Sequence, residues 1–259
     1  MGEGQRPGGI NPPVPAVSCA GDIAILGTTS LTYDHDQVKS TEIGGKFRLF
    51  DGQMQVNAAA FHIDWQNVQF VVPFVSCSFS YVANAASAAS DGVEMQVTGR
   101  VGGFTVNTNI AYDKAVYTAT VKGPLVPGKT QATLVFKGDP LGVPDVTANL
   151  GVQYDWHTFD IPAYARVDTA YASRYKRGTS EGTSSFAAVR TPNFINGDST
   201  LAINARVGIY YKDLEIAAYV KNLANEQHWL NQQQDVSTYW LKGLIETPRI
   251  IGMQMNYRF

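Results

Sequence analysis

Apolar and polar residues alternate along most of the chain, which is the pattern of β-strands with two different faces. The clearest example covers residues 201–211, and one face of it carries Leu201, Ile203, Ala205, Val207, Ile209 and Tyr211. The same alternation recurs in residues 53–60, 93–98, 104–112, 146–156, 159–167 and 251–259. It predicts an all-β chain of about nine antiparallel strands, with a partial tenth strand before Gly8.

Short and long connections alternate strictly between the predicted strands. Short turns are predicted at Asp51-Gly52, residues 101–103, His157-Thr158 and Lys212-Asp213. The long polar connections cover about residues 9–37, 69–80, 113–143, 172–199 and 222–246. Tight turns at one end and long loops at the other are typical of outer-membrane barrels. A soluble β-sandwich has no reason to collect its long loops at one end, and it is the alternative fold on pattern alone.

Composition narrows the class of protein. The 259 residues carry a net charge of -2 and no run of basic residues, which argues against a nucleic-acid partner. Mean hydropathy is -0.12, and no stretch approaches the roughly 20 apolar residues that a spanning helix needs. A transmembrane barrel fits these values, because half of each strand faces water. Residues 1–15 have no apolar segment of a secretory signal, which favours a chain that begins inside a longer gene product.

The two predicted faces differ in chemistry. Charged residues fall on the polar face, where a wet or plugged lumen would let opposite charges pair; they are Glu42, Lys46, Arg48, Glu94, Arg100, Arg166, Asp168, Arg206 and Arg258. Aromatic residues fall near strand ends on the apolar face, as in the aromatic girdles of membrane barrels; they are Phe50, Tyr112, Trp156, Phe159, Tyr211 and Tyr257. Aromatics are also common in strands of any β fold.

Several segments, in order along the chain, resemble the barrel of TonB-dependent receptors. The final strand, residues 248–259, and residues 217–225 resemble the last two strands of that family. Other similar segments are residues 6–11, 42–46, 49–52, 57–61, 64–65, 84–85 and 92–94. Each segment alone is weak evidence for the family, but the order in which the segments occur makes the resemblance specific. The terminal pair Tyr257 and Phe259 is similar to the signal that the barrel-assembly machinery recognises.

The resemblance implies the C-terminal part of a larger barrel of about 22 strands, without the plug domain. We therefore expect residues 1–259 to form an antiparallel transmembrane segment of nine or ten meandering strands, as an open curved sheet or partial barrel. The implied function is uptake of a large, scarce solute such as a siderophore, vitamin or glycan across the bacterial outer membrane. The implied partners are outer-membrane lipid, the assembly machinery and an energy-coupling inner-membrane protein. No enzymatic activity and no cofactor are expected.

Two groups of residues are candidate sites in the long connections. Cys19 and Cys77 lie in the first two connections, where an extracellular disulfide is expected and two unpaired thiols are the alternative. The last connection carries His228, Trp229, Tyr239 and Trp240, which could contact a ligand or simply pack on each other. No spacing of Cys and His residues indicates a metal site.

Other functions stay open from the sequence. An independent barrel of about ten strands could act as a passive pore or a hydrolase. A hydrolase needs a convergent acid–base set, and His35 between two aspartates and His228 are the available residues. A soluble β-sandwich that binds a ligand is the third possibility.

Overall fold

The computed structural model describes residues 1–27, 31–74, 77, 79–84, 87–123, 127–128, 131, 133–174, 197–234 and 241–259. Ten strands form one antiparallel sheet. They are β1 (Gly2–Arg6), β4 (Asp36–Leu49), β5 (Met54–Gln66), β8 (Ser87–Val101), β9 (Phe104–Tyr117), β12 (Val146–Thr158), β13 (Ile161–Ala172), β14 (Thr200–Tyr211), β15 (Leu214–Lys221) and β18 (Ile250–Tyr257). Their spatial order follows the chain, from β1 at one edge to β18 at the other. The predicted all-β fold and its partial tenth strand, β1, are confirmed.

The long connections contain small elements that the alternation did not predict. The first contains β2 (Gly9–Ile10), α1 (Ala20–Leu26) and β3 (Thr32–Tyr33), and the second contains the hairpin of β6 (Gln69–Phe74) and β7 (Phe79–Asn84). The third contains β10 (Val121–Lys122) and β11 (Thr133–Val135), and the last contains β16 (Trp229–Gln234) and β17 (Leu241–Ile245). In the described part of the chain, no helix is long and apolar enough to cross a membrane.

All short turns lie at one end of the sheet, as the sequence predicts, but one of them is displaced. The predicted turn His157-Thr158 is wrong, because both residues belong to β12, where they pair with Pro162 and Ile161. Phe159 and Asp160 make the turn, with φ of 49° and 64°. Positive φ at both central residues suits a tight hairpin. The shift of two residues keeps every side chain on its predicted face, because the period of a strand is two.

The apolar face of the sheet is exposed in the isolated chain. Ile43, Val93, Met95 and Ile251 are among the large apolar residues that point outward, and Ile43 and Ile251 are 79% and 77% exposed. A β-sandwich would cover such residues with a second sheet. The sheet therefore has an apolar outward face and a polar concave face.

The outward apolar band has a sharp upper border. Ile43, Ala60, Val93 and Tyr112 are neighbours in one row across four strands. The next row toward the long connections carries Thr41, His62, Asp91 and Lys114, and His62 Nδ1 lies 2.7 Å from Asp91 Oδ1. Measured down β8 from Val93 to Val101, the apolar band is about 20 Å tall once a strand tilt of about 40° is included.

Candidate functional site

The concave face carries a shallow cavity of about 550 Å³ whose floor is made of small residues. Gly44, Ala59 and Ala111 lie in the same paired row as Glu94, so little side-chain bulk surrounds this carboxylate. The polar side chains of the lining bear mostly amides and charges and include Glu42, Lys46, Asn57, Gln96, Asn109 and Asn149. The cavity therefore offers carboxylates and amides to whatever lies against the wall.

A second cavity of about 450 Å³ lies on the concave face of β13, β14, β15 and β18. Its central residue is Arg206, whose Nη1 donates to Gln254 Oε1 at 2.9 Å and whose Nη2 donates to Glu215 Oε1 at 2.8 Å. Tyr164 Oη accepts a hydrogen bond from Arg206 Nε at 2.6 Å and donates to Glu215 Oε1 at 2.5 Å. Asn256 completes the network by donating to the second carboxylate oxygen at 2.8 Å. Four strands are thus tied together by charge-assisted hydrogen bonds.

Aromatic rings on the concave face lie over glycines of the neighbouring strand. A Cβ at Gly208 would lie 2.6 Å from the ring of Tyr164, and one at Gly252 would lie 2.6 Å from the Tyr219 hydroxyl. Glycine at these two positions lets each ring lie flat on the backbone of the next strand. The ring positions fix the direction of the Tyr219 hydroxyl in the second cavity and of the Tyr164 hydroxyl in the network around Arg206.

The first three long connections pack into a small hydrophobic core above the sheet, which we call the outer cap. A disulfide joins Cys19 at the start of α1 to Cys77 in the β6–β7 hairpin. The buried residues of the core are Cys19, Leu26, Val68, Val72, Phe74, Tyr81, Ala88, Val121 and Val135. The cap is therefore held together by apolar contacts as well as by the cross-link.

Tyr81 is the largest of the fully buried side chains in the described part of the outer cap. It is 2% exposed and packs edge-on against Phe74, with ring centroids 5.3 Å apart. Its hydroxyl has no hydrogen-bond partner in the described part of the chain, and burial raises the pKa of Tyr81 to about 12. The buried hydroxyl destabilises the cap, because a buried polar group without a partner loses its hydration.

Asp36 joins the outer cap to the sheet. Its carboxylate is almost fully buried and accepts hydrogen bonds from the Arg6 guanidinium, from Trp65 Nε1 at 2.9 Å and from the Gln69 backbone N–H at 3.2 Å. These partners belong to β1, to β5 and to the first residue of β6. One side chain therefore connects these three strands by hydrogen bonds. The sequence does not predict this cluster, because its residues are about 30 positions apart and show no motif.

Of the four predicted ligand residues, His228 and Trp229 lie in the part of the chain that the structure describes. His228 Nε2 lies 2.9 Å from Glu226 Oε2, and Trp229 begins β16 and is partly exposed. Tyr239 and Trp240 lie outside the described residues. Contact of His228 and Trp229 with a ligand therefore stays a prediction, as does any role of the other two.

The remaining candidate residues occupy separate places. Tyr257 ends β18, and its ring lies 5.4 Å from that of Phe259, with both side chains exposed at the short-turn end. His62 is on the outward face beside Asp91, and the carbonyl of His35 accepts a hydrogen bond from Asn67. Within the described residues, no group of three or more His, Cys, Asp or Glu side chains has the geometry of a metal site.

Comparison with known proteins gives one family and one fold. Residues 32–223 match the family model described as TonB dependent receptor-like, beta-barrel. No curated protein matches the chain. The ferric yersiniabactin uptake receptor FyuA from Yersinia pestis superposes with a TM-score of 0.70 at 16% identity, over 99% of this chain and 34% of its own.

Two further solved structures share the fold. The ferric-catecholate import receptor Fiu from K12 E. coli gives a TM-score of 0.60 at 19% identity, over 88% of this chain and 28% of its own. The siderophore receptor PiuA from Acinetobacter baumannii gives 0.62 at 16% identity, over 87% of this chain and 29% of its own. The chain thus spans about a third of the length of the solved structures it resembles.

Proposed function

Because the chain belongs to the TonB-dependent receptor β-barrel family, we propose that it forms part of the wall of a receptor that imports a ferric siderophore. The family is one of outer-membrane receptors, which are transporters rather than enzymes. The observation that carries the proposal is the sheet itself. One face is apolar and exposed, the other is polar and concave, and the strand ends that lead into the long connections all lie at the same end of the sheet.

The apolar outward face fits the acyl chains of the outer membrane. An apolar band of about 20 Å, bordered by a charged row on one side and by aromatic residues on the other, resembles the lipid-facing surface of membrane barrels. Phe104, Tyr154 and Tyr257 are exposed near the short turns, where the aromatic girdle would lie. Thr41, His62, Asp91 and Lys114 would then lie at the headgroup level on the outer side.

Besides its lipid-facing surface, such a receptor needs one surface toward the medium and one toward the lumen. The outer cap and the concave face fit these two requirements. The cap presents a rigid, disulfide-bonded surface at the end that would face the medium. The concave face offers carboxylate, amide and guanidinium groups to the contents of the lumen. Vitamins and glycans are the other solutes that a receptor of this kind would take, and an energy-coupling inner-membrane protein would be its partner.

The test is accumulation of radiolabelled solutes by the source bacterium after deletion of the gene that encodes the chain. We expect accumulation of a ferric siderophore to fall in the deletion strain and to return on complementation. In cells that carry the gene, accumulation should stop when an uncoupler removes the proton gradient. If accumulation of a vitamin or a glycan falls in place of the siderophore's, the identity of the solute must be corrected, while the receptor function still holds. Accumulation that survives the uncoupler would contradict active uptake and favour a passive pore.

A further inference from the structure

Three basic side chains lie on the concave face close to the short turns. Lys46 and Arg48 are near the end of β4, and Arg100 is near the end of β8. The register places Arg48 opposite Gln55, and Gln55 opposite Thr98, two residues before Arg100. With strands about 4.8 Å apart and a rise of about 3.3 Å per residue, the Cα atoms of Arg48 and Arg100 are roughly 12 Å apart. Two arginine side chains can converge on one bound group across that distance.

The three cations have no carboxylate partner in the part of the chain that the structure describes. All three are exposed, and none takes part in an ion pair within 4.0 Å. The row that contains Arg48 continues through neutral residues, Gln55, Thr98 and Asn107. On the same face, Glu42 and Glu94 lie in rows farther toward the long connections. Asp51 lies in the short turn, and the Asp155 carboxylate on β12 accepts a hydrogen bond from Gln153 at 2.7 Å.

On the other half of the concave wall, two arginines are neutralised by carboxylates of the chain itself. Arg166 Nη2 lies 2.6 Å from Asp168 Oδ1, and Arg206 Nη2 lies 2.8 Å from Glu215 Oε1. Close to the outer cap, Arg6 is paired with Asp36 in the same way. On β4 and β8, by contrast, the three cations gather near the short turns without an ion pair among the described residues. Such a patch concentrates anions from solution.

We propose that Lys46, Arg48 and Arg100 form an anion site, and that its occupant is a carboxylate-bearing solute passing along the concave wall toward the short-turn end. A guanidinium presents two parallel N–H donors to a carboxylate, and a second arginine and a lysine can hold further oxygens of the same molecule. The Thr98 hydroxyl and the Gln55 amide supply neutral hydrogen-bonding groups beside them. This inference rests on the proposed function, since it assigns a chemical class to the imported solute.

The test is calorimetric titration of citrate, a tricarboxylate probe, into the full chain folded in detergent. We expect the double variant with Arg48→Gln and Arg100→Gln to bind citrate at least tenfold more weakly than the original chain. Added NaCl should weaken binding to the original chain, as it does for exposed charges. The matched control is Lys212→Gln, which removes an exposed cation from a short turn at the same end, where its Nζ lies 5.6 Å from the Tyr211 ring. Its affinity for citrate should stay within twofold.

Circular dichroism and heat-modifiable gel mobility must show that all variants are folded. Equal citrate binding by the double variant, or no citrate binding by the original chain, would overturn the anion site. Binding of a glutamate-rich hexapeptide at the patch without binding of citrate would also overturn it, because the occupant would then be a polypeptide segment. These results leave the receptor proposal standing, since siderophore accumulation by cells tests that separately.

Discussion

Loss of the disulfide between Cys19 and Cys77 should loosen the outer cap and leave the sheet unchanged. The cross-link spans 58 residues, but β4 and β5 lie inside that span and are held in the sheet. If the sheet stays folded, the cap can open only from residue 19 to Asp36 and from Gln66 to residue 77. These segments are 17 and 11 residues long, about 28 together.

The closed loop sets the size of the effect. Loop-closure entropy for about 28 residues gives roughly 3.5 kcal/mol at 25 °C, against about 4 kcal/mol for the full 58 residues. Since 1.4 kcal/mol is a tenfold change in an equilibrium constant, the open form of the cap should become about 300 times more populated. The effect should be confined to the cap, because the hydrogen-bond ladders of β8 and β9 do not depend on the cross-link.

Amide hydrogen exchange of the chain in detergent measures this population segment by segment. The variant carrying Cys19→Ala and Cys77→Ala should exchange the amides of Val72 and Tyr81 a few hundred times faster, with those of β8 and β9 unchanged. Chemical reduction of the original chain is the control, because it breaks the bond and leaves both sulfur atoms in the core. Acceleration below tenfold in the cap, or equal acceleration in the sheet, would show that the cross-link does not stabilise the cap as a separate unit.

Three further predictions concern the wall, the cap and the last strand. Gly252→Val should displace the Tyr219 ring and destabilise the folded chain in urea by about 1–3 kcal/mol, while Gly2→Val, with open space around its Cβ, should change stability by less than about 0.5 kcal/mol. Tyr81→Phe should be neutral or stabilising in the same assay, because it removes a buried hydroxyl without a partner. The raised pKa of Tyr81 means that ionisation favours the unfolded form, so cap stability should fall between about pH 10 and 12 in the original chain and not in this variant. Phe259→Ala should lower the amount of chain recovered in the outer membrane of an expressing cell if the assembly machinery recognises Tyr257 and Phe259, and an unchanged amount would contradict that role.

The sheet could be predicted from the sequence because each of its strands has two chemically different faces. In residues 201–211 the period of two identifies the outward side chains before any pairing is known. The turn at Phe159-Asp160 was misplaced because residues 157–160 have no Gly or Asn to mark a position of positive φ. The error did not change the faces, because it shifted the turn by an even number of residues.

The outer cap could not be predicted from the same pattern. β6 and β7 are six residues each and combine buried side chains such as Val72 and Phe74 with exposed ones such as Val71. Their burial depends on α1 and on the third connection, which are distant in the sequence. The pairing of Asp36 with Arg6 and Trp65 has the same origin, because it depends on which strand ends become neighbours in space.

A receptor wall in the outer membrane requires that the outward face contacts lipid and that the concave face contacts water. Nitroxide labels at the neighbouring positions Met95 and Gln96 test this requirement, because successive residues of β8 point to opposite faces, Met95 to the side of Val93 and Gln96 to the side of Glu94. With the chain in lipid bilayers, the label at 95 should collide with oxygen dissolved in the acyl chains and the label at 96 with a water-soluble nickel chelate. Labels at both positions shielded from oxygen and nickel alike, or the reverse order of accessibility, would contradict the account.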